Sequence, residues 1–383
     1  MNDNEFLKET SRIKPWNSSD NPIKVNSIRY NQDFSLLTLG TSKGYRVFLT
    51  SSLESCSEET DANINFGDIS IAMVYYKSSF VFLLPSRNNK KYSKKQLIIF
   101  DDFYQTKLAL FEDKHEDIIN FFLSKNVLFI ITLNKIIVIE LFTFKIIEII
   151  ENAKTNKKLI SFNNNDFICY TNSKVKKTIY INKYENMNYK LISKKNKLID
   201  SSFDFLQIIQ ISPMGDLIGL ISVFGNKIHI YYTQTGKLKE CIYVGPTIQT
   251  VENMFFSEKK PNYLFILKND DRFHIYKINK LNENPKCICD KYDEKNILNK
   301  DVINENEEPQ TGIMGFFRKS FKNKDIKEIH CFSEDKGVLL FADFDRNKHK
   351  DIILIKSDGR FIKYHFNKKR TGKISPSLTI QWM

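Results

Sequence analysis

Short runs of β-branched and aromatic residues, separated by polar turns, recur along the whole chain. They stand at 36–39, 45–49, 81–84, 97–100, 127–132, 136–141, 208–211, 217–222, 228–232, 263–267, 273–278, 338–342, 352–355 and 361–366. Such side chains suit the packed, pleated surface of a sheet. No long window carries the i, i+3, i+4, i+7 stripe of an amphipathic helix. The runs group into a larger repeat of about forty residues, the length of a four-stranded propeller blade. Clear copies are "FSLLTLGTSKGYRVFLT" (34–50), "NVLFIITLNKIIVIELFTFKII" (126–147), "GDLIGLISVFGNKIHIYYTQTGKL" (215–238) and "NYLFILKNDDRFHIYKI" (262–278). A fifth, "GVLLFADFDRNKHKDIILIKSDGRFIKYHF" (337–366), carries an inserted loop, and fainter copies centre on 71–109 and 159–192. Seven copies predict an all-β chain, a seven-bladed β-propeller of the WD-repeat type, whose closed ring leaves no long sheet edge exposed. Residues 1–383 read as one such domain. The charged, Asn-rich stretch 280–312 reads as a long disordered loop within blade six, because the blade pattern resumes after it.

Within the repeat, "GNKIHIYYTQTGKLKECIYVGPT" (225–247) predicts a hairpin. Ile228, Ile230 and Tyr232 alternate with Lys227, His229 and Tyr231, the pattern of a half-buried strand. Thr235-Gly236 reads as the turn, and an extended run resumes from Leu238 to Val244.

Charge adds a question about partners. Lys and Arg number 58 against 45 Asp and Glu, a net charge of +13. A basic excess fits nucleic acid, an anionic membrane surface, or solubility alone. Many lysines sit among asparagines, as at 88–91 and 194–197, in stretches that read as loops; AT-rich codons would produce the same bias. RNA binding favours aromatic and arginine stacking platforms. Lysines far outnumber arginines here and no such cluster shows, so no nucleic-acid partner is expected.

The six cysteines, at 56, 169, 241, 287, 289 and 331, show no paired framework, and no apolar leader opens the chain. A reduced, cytosolic setting follows. Cys287 and Cys289 lack a second Cys/His pair at zinc spacing, so no metal is expected. No apolar run reaches the ~18 residues of a membrane span; the longest candidate, 136–150, is broken by Glu140, Lys145 and Glu148. Nor does the chain carry a phosphate-binding Gly-rich loop after a strand, a G-x-S-x-G or an H-E-x-x-H motif. His115, His330, His349 and His365 show no ligand spacing and read as surface or strand-end residues. An enzyme and a bound cofactor are therefore not expected.

"YNQDFSLLTLGTSKGYRVF" (30–48) closely resembles the first blade of the PROPPINs, the phosphoinositide-binding WD-repeat propellers of autophagy. The family pattern runs close to F-N-Q-D, then G-T-x-x-G-Y-R-I-F. Asn31-Gln32-Asp33 and Gly40-Thr41-Ser42-Lys43-Gly44-Tyr45-Arg46-Val47-Phe48 match it almost throughout. "KKQLIIFDDFYQTKLALF" (94–111), "LNKIIVIELFTFKII" (133–147) and "QISPMGDLIGLISVFGNKIHIYYTQTGKL" (210–238) resemble the second, third and fifth blades. The resemblance implies binding to membranes bearing phosphatidylinositol 3-phosphate or 3,5-bisphosphate. It also implies autophagy-type protein partners, a monomer, and a cytoplasmic protein that associates peripherally with endosomal, vacuolar or autophagosome-precursor membranes.

The family's lipid motif, F/L-R-R-G, follows T-x-T-G-K-L between blades five and six. Its adjacent arginines point to opposite faces of the strand, so each serves its own head-group pocket, where a planar guanidinium gives bidentate bonds to phosphate. Ile242-Tyr243-Val244-Gly245 aligns with that motif, and only Gly245 is kept. Losing a charged phosphate contact costs about 1.5–3 kcal/mol per hydrogen bond, so loss of both arginines should cost at least about two decades of affinity at each pocket. Ser222 stands where the family has a serine. His229 replaces a basic residue and Asn226 a threonine, while His274 matches a blade-six histidine. The family's K-G-T before it has become Asp270-Asp271-Arg272, where two carboxylates repel phosphate and Arg272 compensates in part.

The family also inserts a blade-six loop into the bilayer. The candidate here is "TGIMGFFRKSFKNK" (311–324). Ile313, Met314, Phe316 and Phe317 are apolar beside Arg318 and Lys319, an interfacial pattern; alternatively, the phenylalanines begin blade seven and pack inward. Two functional readings stay open: a PROPPIN-like scaffold with weakened lipid affinity, or a lipid-independent protein-interaction propeller of the same fold.

Overall fold

The computed structural model describes residues 23–56, 66–151, 153, 158–172, 178–187, 190–199, 206–244, 250–257, 263–268, 272–278, 328–333, 339–344, 351–356, 360–365 and 376–381. All regular structure among them is strand, in seven antiparallel sheets whose strands follow one another in chain order. Blade one holds β1 (Val25–Tyr30), β2 (Leu36–Thr41) and β3 (Gly44–Leu49). Blade two holds β4 (Ile69–Val74), β5 (Phe80–Pro85), β6 (Gln96–Asp101) and β7 (Thr106–Glu112). Blade three comprises β8 (Asn120–Leu123), β9 (Val127–Ile131), β10 (Lys135–Glu140) and β11 (Ile146–Glu151). Blade four comprises β12 (Ile160–Phe162), β13 (Phe167–Thr171), β14 (Thr178–Met187) and β15 (Lys190–Ile199). Blade five is β16 (Leu206–Ile211), β17 (Leu217–Ser222), β18 (Lys227–Tyr232) and β19 (Leu238–Tyr243). Blade six is β20 (Val251–Phe256), β21 (Tyr263–Lys268), β22 (Arg272–Lys277) and β23 (Glu328–Ser333). Blade seven is β24 (Leu339–Phe344), β25 (Asp351–Lys356), β26 (Arg360–His365) and β27 (Pro376–Gln381). The protein is a seven-bladed β-propeller, as the forty-residue period predicts.

The core is a series of seams between blades. First strands of neighbouring blades lie against one another, as β1 on β4, β12 on β16 and β16 on β20, and each neighbouring pair of blades shares a buried apolar cluster. Blades five and six meet through Ile221, Ile228, Ile242, Met254, Phe256, Leu264 and Tyr276. Blade one packs on blade two through Tyr45, Val47, Phe66 and Phe100, and on blade seven through Leu37, Leu39, Ile353 and Phe361. A sheet covered on both faces reads as a continuous apolar run, which is why β2, β17 and β21 are buried at every position.

This arrangement corrects two readings. β18 alternates in sequence but is not half-buried: Lys227 and His229 are 8% and 4% exposed, because blade four covers one face and blade six the other. Residues 194–197 are not a loop but the middle of β15, the last strand of blade four, paired among the described residues with β14 alone. A lysine-rich sequence suits such an edge because it discourages edge-to-edge pairing. The Thr235-Gly236 turn is present, with Gly236 at φ +67°. Residues 280–312 and 311–324 fall between β22 and β23 and lie outside the described residues, so Ile313, Met314, Phe316, Phe317, Arg318 and Lys319 do too.

The motif that carries the family resemblance is a structural hub. Asn31 (1% exposed) accepts from the Leu36 amide at 3.0 Å and donates to the Tyr76 carbonyl at 2.8 Å. Gln32 (4% exposed) accepts from the Tyr76 amide at 2.6 Å and donates to the Leu123 carbonyl at 3.3 Å. Asn164 donates to the Gln32 carbonyl at 2.6 Å, so one turn in blade one ties blades two, three and four together. In the second half of the motif, Gly44 stands at φ +99°, a conformation that L side chains rarely adopt. Tyr45 is buried and donates to Asp102; burial, with that carboxylate, pushes its phenol far up.

Candidate functional site

Strand alternation decides what the aligned motif positions can reach. In β18 and β19, Ile228 and Ile242 belong to the seam with blade six, whereas Tyr231 and Leu238 belong to the seam with blade four. Tyr243 pairs with Lys227, one register step from Ile228 and Ile242, so it takes the blade-four side with His229 and Cys241. Val244 packs against the blade-six cluster, and its amide donates to the Asn226 carbonyl at 2.8 Å. The two positions therefore address different seams, as the alternation of adjacent strand residues requires.

On the blade-four side the groups are polar but weakly charged. Ser222 (1% exposed) donates to Asn226 Oδ1 at 3.2 Å, and His229 Nδ1 lies 3.3 Å from the Tyr231 hydroxyl. Buried Lys227 ends the row, across the strand from Tyr243. At the opposite end of β18, on the blade-six side, Lys239 donates to the Tyr232 hydroxyl at 3.1 Å and sits 4.8 Å above that ring.

The blade-six side keeps more basic character than its Val244 suggests. In β22, Phe273 and Ile275 face blade seven, so His274 and Tyr276 take the face toward blade five, with their rings stacked 6.2 Å apart. In β21, Leu264 and Ile266 face blade five, and Lys268, two residues on and 4% exposed, continues that row. Lys268 was missed in the sequence, although its parity with Leu264 and Ile266 is visible in "YLFILK". Arg272 opens β22, but its side chain, like all of Gly245, lies outside the described residues. Of the scattered histidines, His115 is exposed and His365 ends β26, 2.6 Å from Asp351. His330 lies inside β23 rather than at a strand end, paired with Ile275. No group of three or more His, Cys, Asp or Glu side chains stands at metal-binding range among the described residues. No described helix is long and apolar enough to cross a membrane.

The fold defines the class, a seven-bladed β-propeller, with the blade-one hub intact and the aligned blade-five positions on two separate seams. Comparison with known proteins bears out the resemblance to the PROPPINs. SVP1-like protein 2 of Saccharomyces cerevisiae is 23% identical over 288 residues, 67% of this chain and 63% of the relative, so the match spans less than two thirds of the relative's length. SVP1-like protein 2 of Schizosaccharomyces pombe is 28% identical over 78 residues, 20% of this chain and 21% of the relative. Among solved structures, Kluyveromyces lactis Hsv2 superposes with a TM-score of 0.70 at 13% identity, over 94% of this chain and 100% of that one. An Atg21 solved with the coiled coil of Atg16 gives 0.66 at 13% identity, over 94% and 100%. No family model matches the chain.

Proposed function

We propose that the protein is a non-enzymatic PROPPIN-like scaffold in autophagy or related endosomal and vacuolar trafficking, with its phosphoinositide affinity weakened. The supporting observation is the seam between blades five and six. An apolar Val244 stands at the arginine position, yet Lys268 and His274 share its face. A lysine attracts phosphate as a point charge but lacks the guanidinium's bidentate fork. The seam would therefore hold a 3-phosphate more weakly than a site that presents an arginine there. Tyr243, Ser222, Asn226 and His229 offer the blade-four side neutral or weakly basic contacts, and Arg272 would contribute beside His274. The loop bearing Ile313, Met314, Phe316, Phe317, Arg318 and Lys319 would supply a second contact: burying a Phe side chain is worth about 1.5–3 kcal/mol, and each cation near an anionic leaflet about 1 kcal/mol.

An Atg21 was solved with an Atg16 coiled coil, which supports an autophagy-type protein partner here as well. The test is flotation with liposomes that contain or lack phosphatidylinositol 3-phosphate. Co-flotation only with the lipid, reduced by Lys268→Gln, supports the reading. Absence of flotation with either favours the alternative, a lipid-independent interaction propeller. Phe316→Ser with Phe317→Ser should release the protein from anionic vesicles at unchanged melting temperature if the loop inserts.

A further inference from the structure

A cavity of about 340 Å³ opens between the first strands of blades one, two and three, far in sequence from the motif positions on blades five and six. Its volume lies at the lower end of the roughly 300–1,000 Å³ of small-ligand sites. Unlike such sites in general, it is lined chiefly by polar groups. Lys24 and Arg29 enter from the β1 side and Lys94 from the turn before β6. They face a single carboxylate, Asp68, which already accepts from Asn26 Nδ2 at 2.7 Å.

The donors are arranged for an acceptor-rich guest. Arg29 uses one Nη to hold Asn120 Oδ1 at 2.8 Å, bridging blade one to blade three, which fixes the guanidinium and leaves further N–H groups for a ligand. Burial lowers its pKa only to about 10, so it stays charged at neutral pH. Ser27 contributes to the same wall, with its hydroxyl turned inward toward Gly40. Three cations around a partly enclosed space also focus the field and raise the local concentration of anions.

We propose that this cavity binds a compact phosphate-bearing anion of the inositol phosphate class, at a site separate from the blade-five seams. Arginine and lysine donors converging on a small volume match phosphate oxygens. They do not match a metal ion, which needs acceptors, or an apolar ligand, which needs apolar walls.

Titration calorimetry with soluble inositol 1,4,5-trisphosphate, and sedimentation with vesicles carrying phosphatidylinositol 4,5-bisphosphate, separate a free from a membrane-borne source. Binding of either probe is expected. Arg29→Gln should weaken it by ~10-fold or more, since a charged hydrogen bond is worth at least ~1.5 kcal/mol and each 1.4 kcal/mol is tenfold. Lys24→Gln removes an exposed side chain, so the fold is retained while affinity falls several-fold and its salt dependence flattens. Lys145→Gln removes the same charge from the β10–β11 turn and should leave binding unchanged. The proposal is overturned if neither probe binds, if Lys24→Gln and Arg29→Gln bind as well as wild type, or if Lys145→Gln weakens binding as much as Lys24→Gln does.

Discussion

Blades one to three and blades five to six carry two parts of the PROPPIN resemblance, and they match it unequally. In the first arc, Asn31 and Gln32 stand unchanged, and each closes hydrogen bonds to backbone groups of other strands. In the second, the aligned arginine positions hold Tyr243 and Val244, and the strand pairs as a blade edge regardless. The contrast lies in what each residue satisfies. Removing a hub amide strands buried partners inside the protein, whereas a residue that faces a ligand can change without stranding any. Fold motifs and ligand motifs thus come under separate physical constraints even when both mark one family.

The sharpest way to break this comparison is to attack the hub. Gln32→Leu leaves the Tyr76 amide and the Leu123 carbonyl without their side-chain partner. At about 1–3 kcal/mol for each of the two unsatisfied groups, the loss should be about 2–6 kcal/mol by denaturant unfolding. Val244→Ala, on the other arc, should cost about 1 kcal/mol, as a partly buried aliphatic truncation does. Equal costs for the two changes would erase the distinction.

Restoring the ligand motif tests the other side. Tyr243→Arg with Val244→Arg places a guanidinium on each seam, one beside Lys227 and one beside Lys268 and His274. Affinity for vesicles carrying phosphatidylinositol 3-phosphate should rise by about 100-fold, the converse of losing two charged contacts. No gain would mean that the pocket has been lost at other positions.

Acid provides a third probe, confined to the first arc. Asp113 is buried in the β7–β8 connection, which also hydrogen-bonds the backbone around Lys94 and Lys95. Burial alone would raise its carboxyl, but hydrogen bonds from Lys135 at 2.8 Å and from the Glu116 and His115 amides, with the Lys135 charge, outweigh it and hold the pKa at about 2. An unfolded aspartate titrates near 3.9. The folded value is the lower, so the stabilisation, about 2 kcal/mol, is full above pH ~4 and is lost as pH falls toward 2. Asp113→Asn should lower stability at pH 7 and remove this part of the acid dependence.

How much of this was legible in the sequence depends on how local each signal is. The strands, the period and the Thr235-Gly236 turn depend on near neighbours, and they are where the pattern placed them. That β18 is buried on both faces is not local, because it requires knowing that blades four and six flank it. Lys268 was legible only by parity along a strand already called apolar. The cavity was not legible at all: Lys24, Asp68 and Lys94 come together only when blades one and two are stacked.

The smallest expected effect compares two glycines in second strands, one in each arc. A Cβ at Gly40 would meet Ser27 Oγ at 2.8 Å, the Ile69 carbonyl oxygen at 3.0 Å and the Ala72 amide nitrogen at 3.3 Å. Two of these are backbone atoms of the neighbouring blade and cannot swing aside, so the blades must part. A Cβ at Gly219 would meet Met254 Cε at 3.0 Å and Phe256 Cζ at 3.1 Å. A methionine end is flexible and fills irregular space readily, so that seam yields by a few tenths of an ångström. Replacing glycine by alanine also stabilises by about 0.4–1 kcal/mol through the unfolded chain where the backbone conformation allows it. Gly40→Ala should therefore lose about 1–2 kcal/mol net through overpacking, while Gly219→Ala should stay within about 0.5 kcal/mol of wild type. Because Ser27 lines the cavity, Gly40→Ala should also weaken inositol trisphosphate binding, which Gly219→Ala leaves alone. A Gly219→Ala protein less stable than Gly40→Ala would show that the blade-five seam is the stiffer of the two.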